Sequence, residues 1–300
     1  MSDTNSLKAV IYAFSANLGI ALAKTGAAVW TGSGSLLAEA IHSYADSGNQ
    51  ILLLIGMKRA EKLPTDKHPM GYAREPYIWS MMVAFTLFSV GGVFSIHEGW
   101  QRISVPHPVE NGGIAVIILL IAIYLEWFSL KGALSALQEE KGERSLWQWF
   151  RETRSSELMV VTGEDIAALV GLLVALLMLV LTMITGNTAF DAAGSIIIGM
   201  LLITVAWVIG KEVHSLLIGE SNDEIRDQVR MLVEANPNVQ RVLNIWAINH
   251  GDQVLVALKA ELNPEMRVLA ASACINSLEK QIHNDHPSVQ WVFFEIDTED

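Results

Sequence analysis

AEAIHSYADSGNQ, residues 38–50, interrupts a segment that is otherwise apolar enough to cross a bilayer. His42 and Asp46 stand four residues apart, so on a helix they stack on one face, with Glu39 one turn before and Asn49 one turn after. An ionisable side chain at bilayer depth costs about 2.5–3.5 kcal/mol on insertion scales. Two or three on one face therefore predict an intramembrane polar site, and imidazole beside carboxylate predicts metal ligands. The competing account is a polar seam that only holds helices together.

Outward from this stretch, the 300-residue chain is 51% hydrophobic and 17% charged. Several apolar runs reach the ~20 residues that a spanning helix needs, which predicts a polytopic membrane protein. The net charge of -12 is uneven: from Lys211 onward there are 7 Lys and Arg against 15 Asp and Glu. An acidic tail argues against nucleic acid and anionic lipid as partners and suits cations. The one cysteine, Cys274, allows no intrachain disulfide and reads as a packing residue. The first apolar run starts near Leu7 and continues past Ala28, which predicts a retained helix and not a signal peptide.

Six spans are expected, at about 7–30, 35–57, 77–96, 114–137, 157–184 and 192–209. The first carries Asn17 and Lys24 near one face, expected to pack between helices or to snorkel to the interface. Lys58, Arg59, Lys62, Lys67 and Arg74 crowd the loop after span two, and Lys141, Arg144, Arg151 and Arg154 the loop after span four. The loops at 101–113 and 185–191 hold one basic residue between them, so the positive-inside rule places both termini in the cytoplasm. LWQWF at 146–150 reads as an interfacial aromatic anchor. Span five opens with a second acidic pair, Glu164 and Asp165, and Glu126 in span four adds another intramembrane carboxylate. Glu126 could line a proton route or pair with Lys131. His97 and Glu98 fall near the interface.

Beyond Lys211 the pattern changes to a helix at 222–235, strands at 242–248 and 253–262, a helix at 267–283 and a strand at 289–297. This αββαβ order suits a small open-faced sheet with helices on one side. The expected division is a six-helix, all-α transmembrane domain over 1–211 and an α+β cytoplasmic domain over 212–300.

The chain resembles the cation diffusion facilitator family of divalent-metal/proton antiporters over nearly its full length. The resemblance rests on SLLAEAIHSYADSGNQILLLIG (35–56), HPMGYAREPY (68–77), DAAGSIIIGMLLITVAW (191–207) and the αββαβ tail. It implies a homodimer, a ferredoxin-like, metallochaperone-like tail, and a tetrahedral metal site between spans two and five. The family's ligands fall on His42, Asp46 and Asp165. Where zinc-selective members place a histidine four residues before the span-five aspartate, this chain has Val161, and it looks like the branch with an acidic pair, GEDIAAL (163–169). Glu164 is then a further candidate ligand, although it points about 100° away from Asp165 on a helix, which favours Asp165.

The implied function is export of a divalent transition metal from the cytoplasm in exchange for protons by alternating access, with Zn²⁺ first. A set of one imidazole and two or three carboxylates also suits Mn²⁺, Fe²⁺ or Co²⁺. Metal is substrate here, and no prosthetic group is expected. Glu39 and Glu126 are candidates for the proton route. In the tail, Glu295 and Asp297 alternate onto one strand face and, with His250, His283 or His286, form a sparse candidate regulatory metal set; otherwise the tail serves dimerisation. Neither HExxH nor a paired nucleophile and base is present, which sets a membrane enzyme aside, and a passive divalent-cation channel is the remaining rival. A plasma or bacterial inner membrane is the expected location.

Overall fold

A computed structural model describes residues 2–106, 112–143, 145–153 and 155–299, with side chains from residue 17 onward except at 136, 139, 140 and 152. Arg144, Arg154 and residues 107–111 of the 101–113 loop, used above for topology, lie outside the described residues. The chain divides into two compact units, residues 1–58 with 76–213, and residues 59–75 with 214–300.

The first unit is helical. Its elements are α1 (Ser2–Thr31), α2 (Gly34–Ala60), α3 (Glu75–Thr86), a π-helical turn (Leu87–Val93), α4 (Phe94–Ser104), α5 (Gly112–Ala136), the short α6 (Gln138–Lys141) and α7 (Leu146–Glu152), then α8 (Ser156–Thr185) and α9 (Ala189–Ile218). Among the described residues, four helical stretches are long and apolar enough to cross a membrane: Glu75–Ser104, Gly112–Ser135, Ser156–Thr185 and Ala189–Ile218. The sequence led to an expectation of six. At 27 residues α2 has the length to cross, but Glu39, His42 and Asp46 lower its apolarity. Two expected ends also move. The third stretch runs on from 96 to Ser104, and α9 continues past Lys211 to Ile218. A charged residue does not stop a helix, whereas the backbone at Gly219, with φ 114°, does.

Glycines allow close helix approach. A Cβ on Gly99 would stand 2.7 Å from the Ala192 carbonyl oxygen, and one on Gly199 would stand 2.7 Å from that of Gly92. Without those carbons α4 and the π-helical turn lie directly against α9, the small-residue packing that helices use in lipid, where no hydrophobic force drives them together.

At one end of this unit a single carboxylate organises the turn between α1 and α2. Asp191, 2% exposed at the start of α9, accepts hydrogen bonds from Ser33 Oγ (2.6 Å), the Gly34 amide (2.5 Å) and Ser35 Oγ (2.6 Å). Arg102 Nη1 lies 3.8 Å away, and the same guanidinium donates to Glu98 (2.7 Å) and to the Gly32 carbonyl. The orphan amides at the start of α2 are thereby satisfied by a side chain from 157 residues away.

The second unit has the expected αββαβ order: α10 (Asp223–Glu234), β1 (Val239–His250), β2 (Gln253–Leu262), α11 (Val268–Asp285) and β3 (Val289–Ile296). Asn222 caps α10 by accepting from the Ile225 amide at 3.1 Å. The sheet order is β1-β2-β3, with β1 and β2 antiparallel and β2 and β3 parallel, so α11 is the crossover that a parallel pair requires. Alternate residues of β2, Val254, Val256, Leu258, Ala260 and Leu262, face a core completed by Val229 and Val233 of α10 and Cys274, Leu278 and Ile282 of α11. Trp246 and Phe293 lie on the other face and stay exposed.

Loop 59–75 packs into this second unit. Arg74 Nη2 donates to the Asn249 carbonyl at 3.3 Å, and Gly251, at φ 68°, lies so close to Ala73 that no Cβ would fit. Beside them His250 meets Trp291 edge-on, with ring centroids 5.4 Å apart. Burial, then the Arg74 guanidinium, pushes the imidazole below its ordinary value of 6.5.

Two outcomes follow from this packing. Asp191→Ala should cost about 3 kcal/mol, the loss of several bonds to one charged acceptor, and lower the thermal unfolding temperature in detergent. Because folded His250 binds its proton less readily than the unfolded chain does, stability of the second unit is full above about pH 6.5 and declines as pH falls below it. Denaturant midpoints measured on each side of that value should show the decline in the wild type and a flatter profile in His250→Gln.

Candidate metal centre

On α2 the polar residues share a face and that face is turned inward. Glu39, His42 and Asn49 are fully or almost fully buried, while Tyr44, Gly48 and Ile51 on the opposite side are exposed. His42 Nδ1 lies 3.3 Å from Asp46 Oδ1, the contact expected at a spacing of four. Its geometry is not that of a hydrogen bond. Neither His42 nitrogen, nor Asp46 Oδ1, nor Glu39 Oε1 has a hydrogen-bond partner among the described residues. Buried polar atoms are nearly always satisfied, so a cluster of lone-pair donors left open points to a cation as the missing partner.

From α8 come Glu164 and Asp165. They diverge, as adjacent helical residues must. Glu164 Oε1 accepts from Asn49 Nδ2 of α2 at 2.5 Å, whereas Asp165 Oδ2 accepts from Ser129 Oγ of α5 at 3.3 Å. A small cavity, with about 20 Å³ open to water-sized particles, is lined by Asp46, Glu164, Asp165 and, from α5, Glu126. That space suffices for one water or one bare metal ion. Asn17, Ser43, Gln50 and Val161 complete much of its wall.

The structure thus gathers four carboxylates at one cavity with His42 behind Asp46. It does not close them into a finished tetrahedron: among the described residues no three His, Cys, Asp or Glu side chains converge on one point at metal-ligand spacing. The expected order of Asp165 over Glu164 also gains a complication, because Glu164 is the one that bridges to α2 while Asp165 is turned to α5. Glu126, placed by the sequence on a proton route or beside Lys131, lies on the cavity wall itself. Of the hydrogen-bond partners of the α8 pair, Asn49 was marked by its place on the His42–Asp46 face, whereas Ser129 carried no signal beyond being polar at membrane depth.

Of the two courses expected for Lys24, packing between helices or snorkelling, the structure shows the first: it is 0% exposed, with Nζ 3.4 Å from Glu39 Oε2 and 2.7 Å from Ser43 Oγ. Glu39 is therefore an ion-pair partner one turn from His42.

In the second unit the candidate regulatory set is not brought together. His250, His283 and His286 fall at the end of the sheet where β3 begins, with His283 Nδ1 2.8 Å from the Val289 carbonyl oxygen. Glu295 and Asp297 lie at the other end of β3, about 20 Å along the strand. There Lys259 Nζ approaches both, at 3.9 and 3.2 Å. The amide of Thr298 and then Lys259 hold the Asp297 carboxyl below its usual range. The two acids share Lys259, and strand length separates them from the histidines.

Against known proteins, residues 10–218 match the cation efflux transmembrane domain family. The proton-coupled zinc antiporter SLC30A9, mitochondrial, of Xenopus laevis is 33% identical over 258 residues, 84% of this chain and 45% of that protein. The zinc transporter ZitB of Escherichia coli is 26% identical over 271 residues, 88% of this chain and 80% of its own. The metal cation efflux system protein CzcD of Cupriavidus metallidurans is 26% identical over 270 residues, 84% and 79% respectively. The chain spans about half the length of the SLC30A9 relatives it matches. With more than two thirds of its residues inside that domain, and with buried acids and an imidazole within it, the chain belongs to the cation efflux, or cation diffusion facilitator, family.

Proposed function

We propose that this protein exports a divalent transition metal, Zn²⁺ first, from the cytoplasm in exchange for protons by alternating access. The observation that carries this reading is the set of buried, partnerless donors on His42 and Asp46 beside a cavity lined by four carboxylates. The names of the relatives, a proton-coupled zinc antiporter and a zinc transporter, support both the ion and the coupling. Six spans, cytoplasmic termini, a plasma or bacterial inner membrane and a homodimer belong to the same proposal. The basic loop from Lys58 to Arg74 supports the orientation, and the exposed Trp246 and Phe293 on the open sheet face offer an apolar surface for the second copy.

The chemistry of exchange follows from the ligands. His42 must be neutral, and Asp46 with Asp165 or Glu164 ionised, to hold a cation, so protons and metal compete for the same lone pairs. Facing the cytoplasm, metal entry releases protons; facing outside, protons displace the metal. Closure of the donor set needs a modest rotation of α8 that brings Asp165 round from Ser129, or recruits Glu164 from Asn49, and such a movement is what alternating access supplies.

A second reading, preference for Mn²⁺, Fe²⁺ or Co²⁺, is favoured by Val161 on the cavity wall at the position where a histidine would soften the set.

Metal uptake into proteoliposomes under an imposed pH gradient, across Zn²⁺, Mn²⁺, Fe²⁺, Co²⁺ and Cd²⁺, should show gradient-driven flux that falls by about a hundredfold or more in Asp46→Ala and in Asp165→Ala. Flux indifferent to the gradient would restore the channel reading, and flux indifferent to both carboxylates would remove the site. In the same assay Val161→His should move preference towards Zn²⁺ over Mn²⁺ by about tenfold; unchanged ratios would mean that this wall does not set selectivity.

A further inference from the structure

Lys24 has no place in the ligand set, yet it is one of the largest side chains that the structure buries completely. A lysine near a membrane interface ordinarily extends its ammonium to water. This one points inward from α1 to α2, where it donates to Ser43 Oγ at 2.7 Å and lies 3.4 Å from Glu39 Oε2. Ser43 lies beside His42 in sequence and also lines the cavity shared by Asp46, Glu126, Glu164 and Asp165. The ammonium is thus held one small side chain away from four carboxylates.

Its pairing with Glu39 is loose. A charge-assisted N–H···O bond is normally about 2.7–2.9 Å, well short of the distance found here. The second Glu39 oxygen has no hydrogen-bond partner among the described residues, and it rests against Gly171 of α8, where any Cβ would collide with it. An ammonium on a long stem, held by one hydroxyl and one distant carboxylate, is free to change partners by rotation of its own side chain.

We infer that Lys24 is a tethered counter-cation of the metal centre, neutralising the buried carboxylates when no metal is bound and withdrawing onto Glu39 when metal enters. The inference rests on the reading of the cavity as the metal centre. It gives the protein a resident positive charge that competes with cargo, so that an empty carrier can reorient without leaving an uncompensated cluster of anions in apolar surroundings. Glu39 is then the parking place of the ammonium and not a ligand.

The two partners should shift metal affinity in opposite directions, one variant removing the competing cation and the other its resting place. In Lys24→Met the competitor is gone, and Zn²⁺ should bind about tenfold more tightly to the purified full-length chain in detergent, measured by calorimetry with Zn²⁺ alone. In Glu39→Gln the parking place is lost, the ammonium stays with the cavity carboxylates, and Zn²⁺ should bind about tenfold more weakly. Affinities that move together, or that both remain within twofold of wild type, overturn the proposal. If Lys24→Met does not fold, Glu39→Gln decides alone, and an undiminished affinity there overturns it. Asp165→Ala separates the two levels of argument: binding lost in that variant, with Lys24 and Glu39 variants moving together, removes only the role of Lys24, whereas a wild-type chain without measurable Zn²⁺ affinity removes the metal centre as well.

Discussion

The cost of keeping charge away from water governs this architecture. Each ionisable group at membrane depth carries a penalty of about 2.5–3.5 kcal/mol, and α1, α2, α5 and α8 together bring Lys24, Glu39, His42, Asp46, Glu126, Glu164 and Asp165 to one buried region. Such a concentration is stable only if the charges satisfy one another or share a bound ion. Lys24 with Glu39, Asn49 with Glu164 and Ser129 with Asp165 meet part of that demand. The nitrogens of His42 and Oδ1 of Asp46 are the part left without a hydrogen-bond partner among the described residues, and on the proposed function they are where the substrate enters.

That arrangement depends on helices that approach closely and are fixed at their ends. The contacts of Gly92 and Gly99 with α9 and the grip of Asp191 on the α1–α2 turn give this unit a firm frame away from the metal centre. Near the centre the contacts are different in kind. They are single hydrogen bonds between side chains, Asn49 to Glu164 and Ser129 to Asp165, which can be exchanged for metal coordination without repacking a core. A rigid frame around replaceable polar contacts is the arrangement that the proposed alternating access calls for.

The carboxylate-rich wall also bears on ion choice. With Val161 at the position where a histidine would add a softer donor, four carboxylates and one imidazole make a hard, strongly anionic set. On the proposed function, geometry more than affinity would then discriminate between metals.

Much of this could be seen in one dimension. The apolar runs gave the long helices, the change of pattern after Lys211 gave the αββαβ order, and the spacing of four put His42 and Asp46 on a common, inward face, since periodicity within an element determines which residues share a side. What sequence could not give was any relation between elements. Whether Glu164 or Asp165 faces α2, that Glu126 joins the same cavity, that Lys24 turns inward to Glu39, and that the histidines of the second unit lie a strand's length from its acids all depend on the rotation and register of one element against another. Those are set by small-residue contacts and buried hydrogen bonds between residues as distant in sequence as Gly34 and Asp191, which local spacing cannot encode.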